Sequence, residues 1–315
     1  MGSRRRLHAD VIIVEYALND SELATSAALG QWARAYEGLL AKLRREAPQA
    51  QIICPLLVSR GRVITSGLNP LLAGVVMINT RYEVATIDVT AEIAAKAPPD
   101  YWSVTRDWYA DGSHYAKPFQ AMIGELITAE IRSGAGRSHR RNVPPISHDH
   151  FAGVRSAAED RIQETLVPEG TPAEVLENSV IRETAYIMTP GNRVQLRVTG
   201  EIVALILVST RKDGIVAYHH DERVAYAGLY RKAFSDPKFS FLMNTFLPEQ
   251  YFRSPPVVPE SPSTVSIEIL DAASVAALPP KSVISRSTAM APPGMDKPMS
   301  LALVDIVYTG ELSPL

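Results

Sequence analysis

Val11-Ile12-Ile13-Val14-Glu15-Tyr16-Ala17-Leu18-Asn19-Asp20 opens on four consecutive β-branched aliphatic residues and closes on a polar pair. A short run that is apolar at every position reads as a strand buried on both faces, the kind found in parallel sheets. In open α/β sheets, ligands bind beyond the C-terminal ends of the strands. The stretch therefore carries Asn19 and Asp20 to the edge where chemistry is done. An asparagine there can offer its side-chain amide to a developing oxyanion. Asn-Asp is also a common turn and helix-capping pair, and that alternative stays open.

Working outward, Leu29, Trp32, Ala33, Tyr36, Leu40 and Leu43 recur at three- and four-residue steps, with Pro48 just beyond. This spacing predicts a helix from about Leu29 to Glu46. Gln51–Leu57 reads as a second buried strand, Leu68–Tyr82 as a helix, Val84–Val89 as a third strand and Pro118–Arg132 as a further helix. Strands alternating with helices imply right-handed crossovers and a parallel sheet. Ser133–His150 changes character: Gly134, Gly136, Pro144 and Pro145 lie among arginines, as in a linker. Beyond it the helical period fades, apart from a short helix near Ala157–Leu166. Arg193–Val198 alternates strictly, Ile202–Val208 is continuously apolar, and Asp213-Gly214 reads as a hairpin turn before the strand Ile215–Tyr218. Val265, Ile267 and Ile269 alternate with polar residues, and Leu301–Tyr308 is a closing strand. Short strands with Pro/Gly-rich connections predict an antiparallel sandwich.

The 315 residues are 46% hydrophobic and 21% charged, with a formal net charge of −2. Nothing in that balance points to nucleic acid or an anionic membrane, and the length favours two domains. The single cysteine, Cys54, excludes an intrachain disulfide and reads as a buried thiol. No apolar run approaches the roughly 18 residues of a membrane span, and the start does not follow a signal-peptide pattern. The chain as written reads as cytoplasmic with an incomplete N-terminus, which leaves its compartment open.

A second chemistry-bearing segment is Asp107-Trp108-Tyr109-Ala110-Asp111-Gly112-Ser113-His114, directly before a helix. An Asp-x-x-His on one tight loop lets the carboxylate orient the imidazole as a general base, the logic of hydrolytic triads. The same residues also suit a surface turn with a capping aspartate. Trp102, Trp108 and Tyr109 either line an acyl or sugar pocket or pack into the core. His148-Asp149-His150 offers two legs of a metal site without a third, and His219-His220-Asp221 reads as the polar end of a strand. No cofactor or metal is expected.

Together, in this order and spacing, Val14–Asp20 and Asp111–His114 resemble the third and fifth blocks of SGNH (GDSL-like) hydrolases, with Ala17 where glycine is usual. The resemblance covers about residues 9–132. It implies that Asn19 is an oxyanion-hole donor, His114 the general base and Asp111 its orienting acid. The family's Gly-Asp-Ser block, which holds the nucleophile, and its second block, which supplies a glycine N–H, are not found in residues 1–315. Ser3 lacks the strand that should precede it and the elements that should separate it from Asn19. Ser21 and Ser113 read as capping and turn residues. Val198–Leu205 and Ser266–Leu270 loosely resemble jelly-roll modules found beside SGNH domains in carbohydrate esterases.

The fold expected is thus α/β: a partial flavodoxin-like parallel sheet with flanking helices over 1–132, a linker over 133–150, and a C-terminal antiparallel β-sandwich over 151–315. The function expected is an ester hydrolase or acyltransferase on O-acylated carbohydrate or another small ester. An N-terminally truncated chain of this kind would be inactive as written and prone to self-association through an exposed sheet edge. The alternative is a non-catalytic glycan-binding protein with a relic hydrolase domain.

Overall fold

The computed structural model describes residues 8–20, 29–60, 70–96, 107–137, 143–178, 181–229, 240–248, 262–279, 282–285 and 299–315. The chain forms two compact units, residues 1–153 and 154–315. The first contains β1 (Val11–Ile13), α1 (Ala17–Asp20), α2 (Leu29–Glu46), β2 (Gln51–Leu56), α3 (Pro70–Arg81), β3 (Ala85–Asp88), α4 (Val89–Lys96) and α5 (Lys117–Ser133). The strands form a three-stranded sheet in the order β1-β2-β3, with both pairings parallel. Every residue of the central β2 is buried, whereas β1 at the edge leaves Ile13 half exposed.

Trp32, Tyr36, Leu40 and Leu43 make the buried stripe of α2. Each contributes roughly 1.5–3 kcal/mol by leaving water. Arg44 and Arg45 in the last turn complement the helix dipole. Two local readings change. The turn at Asn19-Asp20 is a single helical turn, begun by the Glu15 carboxylate accepting from Leu18 N at 3.0 Å. The stretch after β3, where the sequence pattern predicts no element before Pro118, starts as a helix. Asp88 accepts from Ala91 N at 3.0 Å and caps α4, which follows the strand without a loop.

The N-terminal ends of the strands are closed by buried polar groups. The Arg44 guanidinium donates to the carbonyls of Tyr82 (2.9 Å), Ala50 (3.1 Å), Glu83 (2.7 Å) and Gly136 (2.9 Å). Gln51 Nε2 donates to Glu130 O and Ala135 O. Gly136, at φ +79°, lies so close to Ile52 O that a Cβ would collide with it. Residues 143–153 pack on α2. The buried Glu37 carboxylate accepts from Ile146 N and Ser147 N, and Arg34 meets Asp149 at 3.0 Å. His150 Nδ1 accepts from Ala152 N.

The second unit contains β4 (Arg155–Ser156), α6 (Gln163–Leu166), β5 (Ala173–Glu177), β6 (Arg182–Met188), β7 (Arg193–Val198), β8 (Ile202–Thr210), β9 (Ile215–His220), β10 (Arg223–Gly228), β11 (Phe241–Phe246), β12 (Ser263–Ile269), α7 (Ala272–Ala276), β13 (Val283–Ser285), β14 (Leu301–Tyr308) and β15 (Leu312–Pro314). One sheet runs β13-β10-β9-β12-β7-β15. The other runs β11-β8-β14-β6-β5, with β4 also on β14. All pairings are antiparallel except β10 with β13. Their inner faces share one core, built from residues such as Leu196, Leu205, Tyr218, Ile267 and Leu303.

Asp213-Gly214 is not a hairpin turn. β8 pairs with β11 and β14, so the chain crosses there to the other sheet. Neither residue has the positive φ that a two-residue hairpin requires. The two-residue hairpin is instead β9 to β10, with Asp221 at φ +52°.

Candidate functional site

β1, β2 and β3 run in the same direction, so their C-terminal ends lie along one edge of the sheet. The loop from Trp108 to Ala116 is held against the end of β2. The hydroxyls of Tyr109 and Tyr115 both donate to Val58 O, at 2.7 and 3.1 Å, and Val58 N donates back to Tyr115 Oη at 3.2 Å. The two rings stack at 4.5 Å, and Tyr109 bridges Tyr115 in antiparallel fashion. Ala110 N donates to His114 O at 2.8 Å, and Arg60 N donates to Gly112 O at 3.0 Å. Beneath the loop, buried Trp108 packs on Phe119 of α5. Trp108 and Tyr109 therefore belong to the core, while Trp102 lies outside the described residues.

This frame presents Asp111 and His114 at its tip. His114 Nδ1 lies 2.7 Å from Asp111 Oδ2, and Asp111 Oδ1 accepts from Ser113 N and His114 N, each at 2.8 Å. Those two backbone N–H groups, then the His114 ring, hold the Asp111 carboxyl far below the usual carboxylate range. An ionised Asp111 fixes the ring by Nδ1 and leaves Nε2 as the nitrogen that can take a proton. The side chains are 57% and 76% exposed, so the pair is open to solvent. Ser113 serves the turn through its backbone. Ser3 and Ser21 lie outside the described residues.

Asn19 sits in α1, the helical turn that follows β1, and so at the same edge of the sheet. Its side chain lies outside the described part of the structure. Asp20 has a structural partner: Trp32 Nε1 donates to Asp20 Oδ2 at 2.9 Å. Burial pushes the Asp20 carboxyl up, and that hydrogen bond opposes the shift. Trp32 stacks on Tyr36 at 5.2 Å, and the Tyr36 hydroxyl donates to Asn79 Oδ1 at 2.7 Å. A continuous path of contacts thus runs from the core to α1.

No family model matches the chain, and no curated protein does. Solved structures do. A crystal structure of a two-domain esterase (CEX) active on acetylated mannans, co-crystallized with mannopentaose, matches with a TM-score of 0.58 at 13% identity. A second crystal structure of that esterase matches with a TM-score of 0.59 at 12% identity. Each match covers 96% of this chain and 73% of the esterase chain. At such identity the likeness is one of fold: an α/β unit followed by an antiparallel β-sandwich.

Several residues at this edge escape a motif search. Val58 contributes only backbone, and Tyr115 is one residue past the motif. The sole hint is that Tyr109 and Tyr115 bracket Asp111–His114, as a bridged pair would. Glu15 is the other omission. Burial is the main force raising the Tyr115 hydroxyl, but the charges of Glu15 and Asp88 add to it.

Proposed function

We propose that the first unit is an SGNH-type ester hydrolase or acyltransferase domain acting on O-acylated carbohydrate, with the second unit as its accessory sandwich. The observation that carries this reading is the Asp111–His114 pair, 2.7 Å apart at the C-terminal edge of a parallel sheet. The fold likeness to an esterase active on acetylated mannans supports the substrate class. In this mechanism a serine supplied from outside residues 1–315 attacks the ester carbonyl. His114 Nε2 takes the hydroxyl proton, and Asp111 stabilises the imidazolium. The Asn19 amide donates to the tetrahedral oxyanion. Collapse expels the alcohol, which receives the proton from His114. Water, activated by the same ring, then releases the acyl group and restores the serine. Among the described residues no strand pairs with the outer edge of β1, and the strand bearing that serine would cover it.

The test compares aryl acetate hydrolysis by residues 1–315 with that by a longer protein carrying a Gly-Asp-Ser segment. The short chain should be no faster than its own His114→Ala variant. In the longer protein, His114→Ala should lower kcat/KM by about 10³-fold or more. Equal turnover with and without His114 in the longer protein would end the reading. Robust His114-dependent turnover from residues 1–315 alone would mean that they hold a nucleophile, and Ser3, Ser21 and Ser113 would be the first serines to mutate.

A further inference from the structure

Both sheets of the second unit carry apolar residues on the faces turned away from their shared core. On β7 the outward residues Arg193, Gln195 and Arg197 are exposed. Nearby, Glu268 meets both His219 and Arg193, at 3.2 and 3.3 Å. Elsewhere on this sheet the outward residues Ile215 and Ala217 are buried, with Val275 and Leu278 packed against them. The sheet of β11, β8, β14, β6 and β5 likewise carries an apolar cluster outside the main core, with Val208, Ala302 and Val304 buried and Leu176 and Ile187 packed against them. An antiparallel sheet with one face to water alternates apolar and polar residues, and this one is apolar on both sides.

Part of that outer face hollows into a cleft of about 500 Å³, within the range of small-ligand sites. Leu176 of β5, Ile187 of β6 and Ala302 of β14 form its floor. Thr210, Arg211, Lys212 and Ser300 stand on one side and Glu174 on the other. The rim is pre-shaped. The Asp213 carboxylate accepts from Thr210 N at 2.7 Å, Lys212 N donates to Thr210 Oγ1 at 3.1 Å, and Ser300 N donates to Lys212 O at 2.9 Å. Among the described lining residues the floor is aliphatic, so a bare sugar ring finds no aromatic platform there. What it suits is a small aliphatic group attached to something rich in hydroxyls, for which charged and hydroxyl side chains of the rim supply both donors and acceptors.

We propose that this cleft is a binding site for O-acylated saccharide, with acyl methyl groups on the Leu176–Ile187–Ala302 floor and sugar hydroxyls on the rim. The proposal rests on the substrate class proposed above and adds a second place on the chain that holds it. The site would select acylated over bare chains, keeping the protein on unprocessed regions of a polymer.

The test uses residues 1–315, which are expected to consume no ester. Calorimetric titration compares O-acetylated mannan oligosaccharides, the same oligosaccharides after alkaline deacetylation, and sodium acetate. The acetylated form should bind roughly fourfold or more tightly for each acetyl group buried, and acetate should not compete. Leu176→Asp should remove the preference for the acetylated form. Lys212→Ala, at the exposed rim and so without risk to folding, should weaken both forms alike. Equal binding of the two forms, displacement by acetate, insensitivity to both variants, or no binding at all would each overturn the proposal. Absence of cleft binding with His114-dependent hydrolysis intact in the longer protein removes this proposal alone, and the converse removes the esterase reading alone.

Discussion

The two ends of one three-stranded sheet are built in opposite ways. At the N-terminal ends, Arg44 and Gln51 are buried and give their donors to backbone carbonyls, and Gly136 is wedged against Ile52. At the C-terminal ends, Asp111 and His114 bond to each other but remain open to solvent. Polar side chains at the first end satisfy the protein itself. Those at the second leave one ring nitrogen unused. The contrast teaches that stability and chemistry are separated along the strand axis, so substitutions at the two ends should have different consequences.

The largest expected effect is on stability. Arg44→Met leaves four carbonyls without their donor in a buried place, which should cost about 4 kcal/mol. His114→Ala, at the exposed tip, should stay within about 0.5 kcal/mol. Urea unfolding followed by circular dichroism measures both, and comparable losses would break the contrast between the ends. Gly136→Ala sharpens it without changing charge. The left-handed φ and the approach to Ile52 O should together cost about 2 kcal/mol in the same assay, and a neutral result would mean that the segment does not clamp the sheet. The smallest effect is a titration. Asp111 in the folded state lies below its unfolded value, so its stabilising contribution is complete above the unfolded pKa of about 4 and is lost as pH falls through the folded one. The Asp111 carboxyl carbon, followed by NMR, should show no step near pH 4, and an ordinary step there would mean that the backbone N–H bonds of Ser113 and His114 do not persist in solution.

Elements whose signal lies within a few residues were legible beforehand. The helix over Leu29–Glu46 and the strand Arg193–Val198 follow from their own periodicity, because burial of one face imposes a 3.6- or 2-residue repeat. Asp111 and His114 share a loop, so their spacing alone put them within reach. Local reading failed where a distant partner sets the conformation. Asp213-Gly214 has hairpin composition, yet both edges of β8 are taken by β11 and β14, and the chain must leave for the other sheet. Trp108 and Tyr109 looked equally fit for a pocket or a core until Phe119 and Val58 were seen to hold them inside.

The sequence by itself determined the alternation of strands and helices, the change to an antiparallel half, and an Asp-x-x-His loop ahead of a helix. Side-chain burial and local hydrogen bonding write those features into neighbouring residues. The tertiary structure alone decided that Val58, 57 residues before Tyr115, fixes the loop. It alone placed Gly136, 92 residues after Arg44, under that guanidinium, and hollowed part of one outer sheet face of the second unit. Buried polar groups must find partners wherever the packed chain brings them, and no periodicity in sequence records which residues those will be.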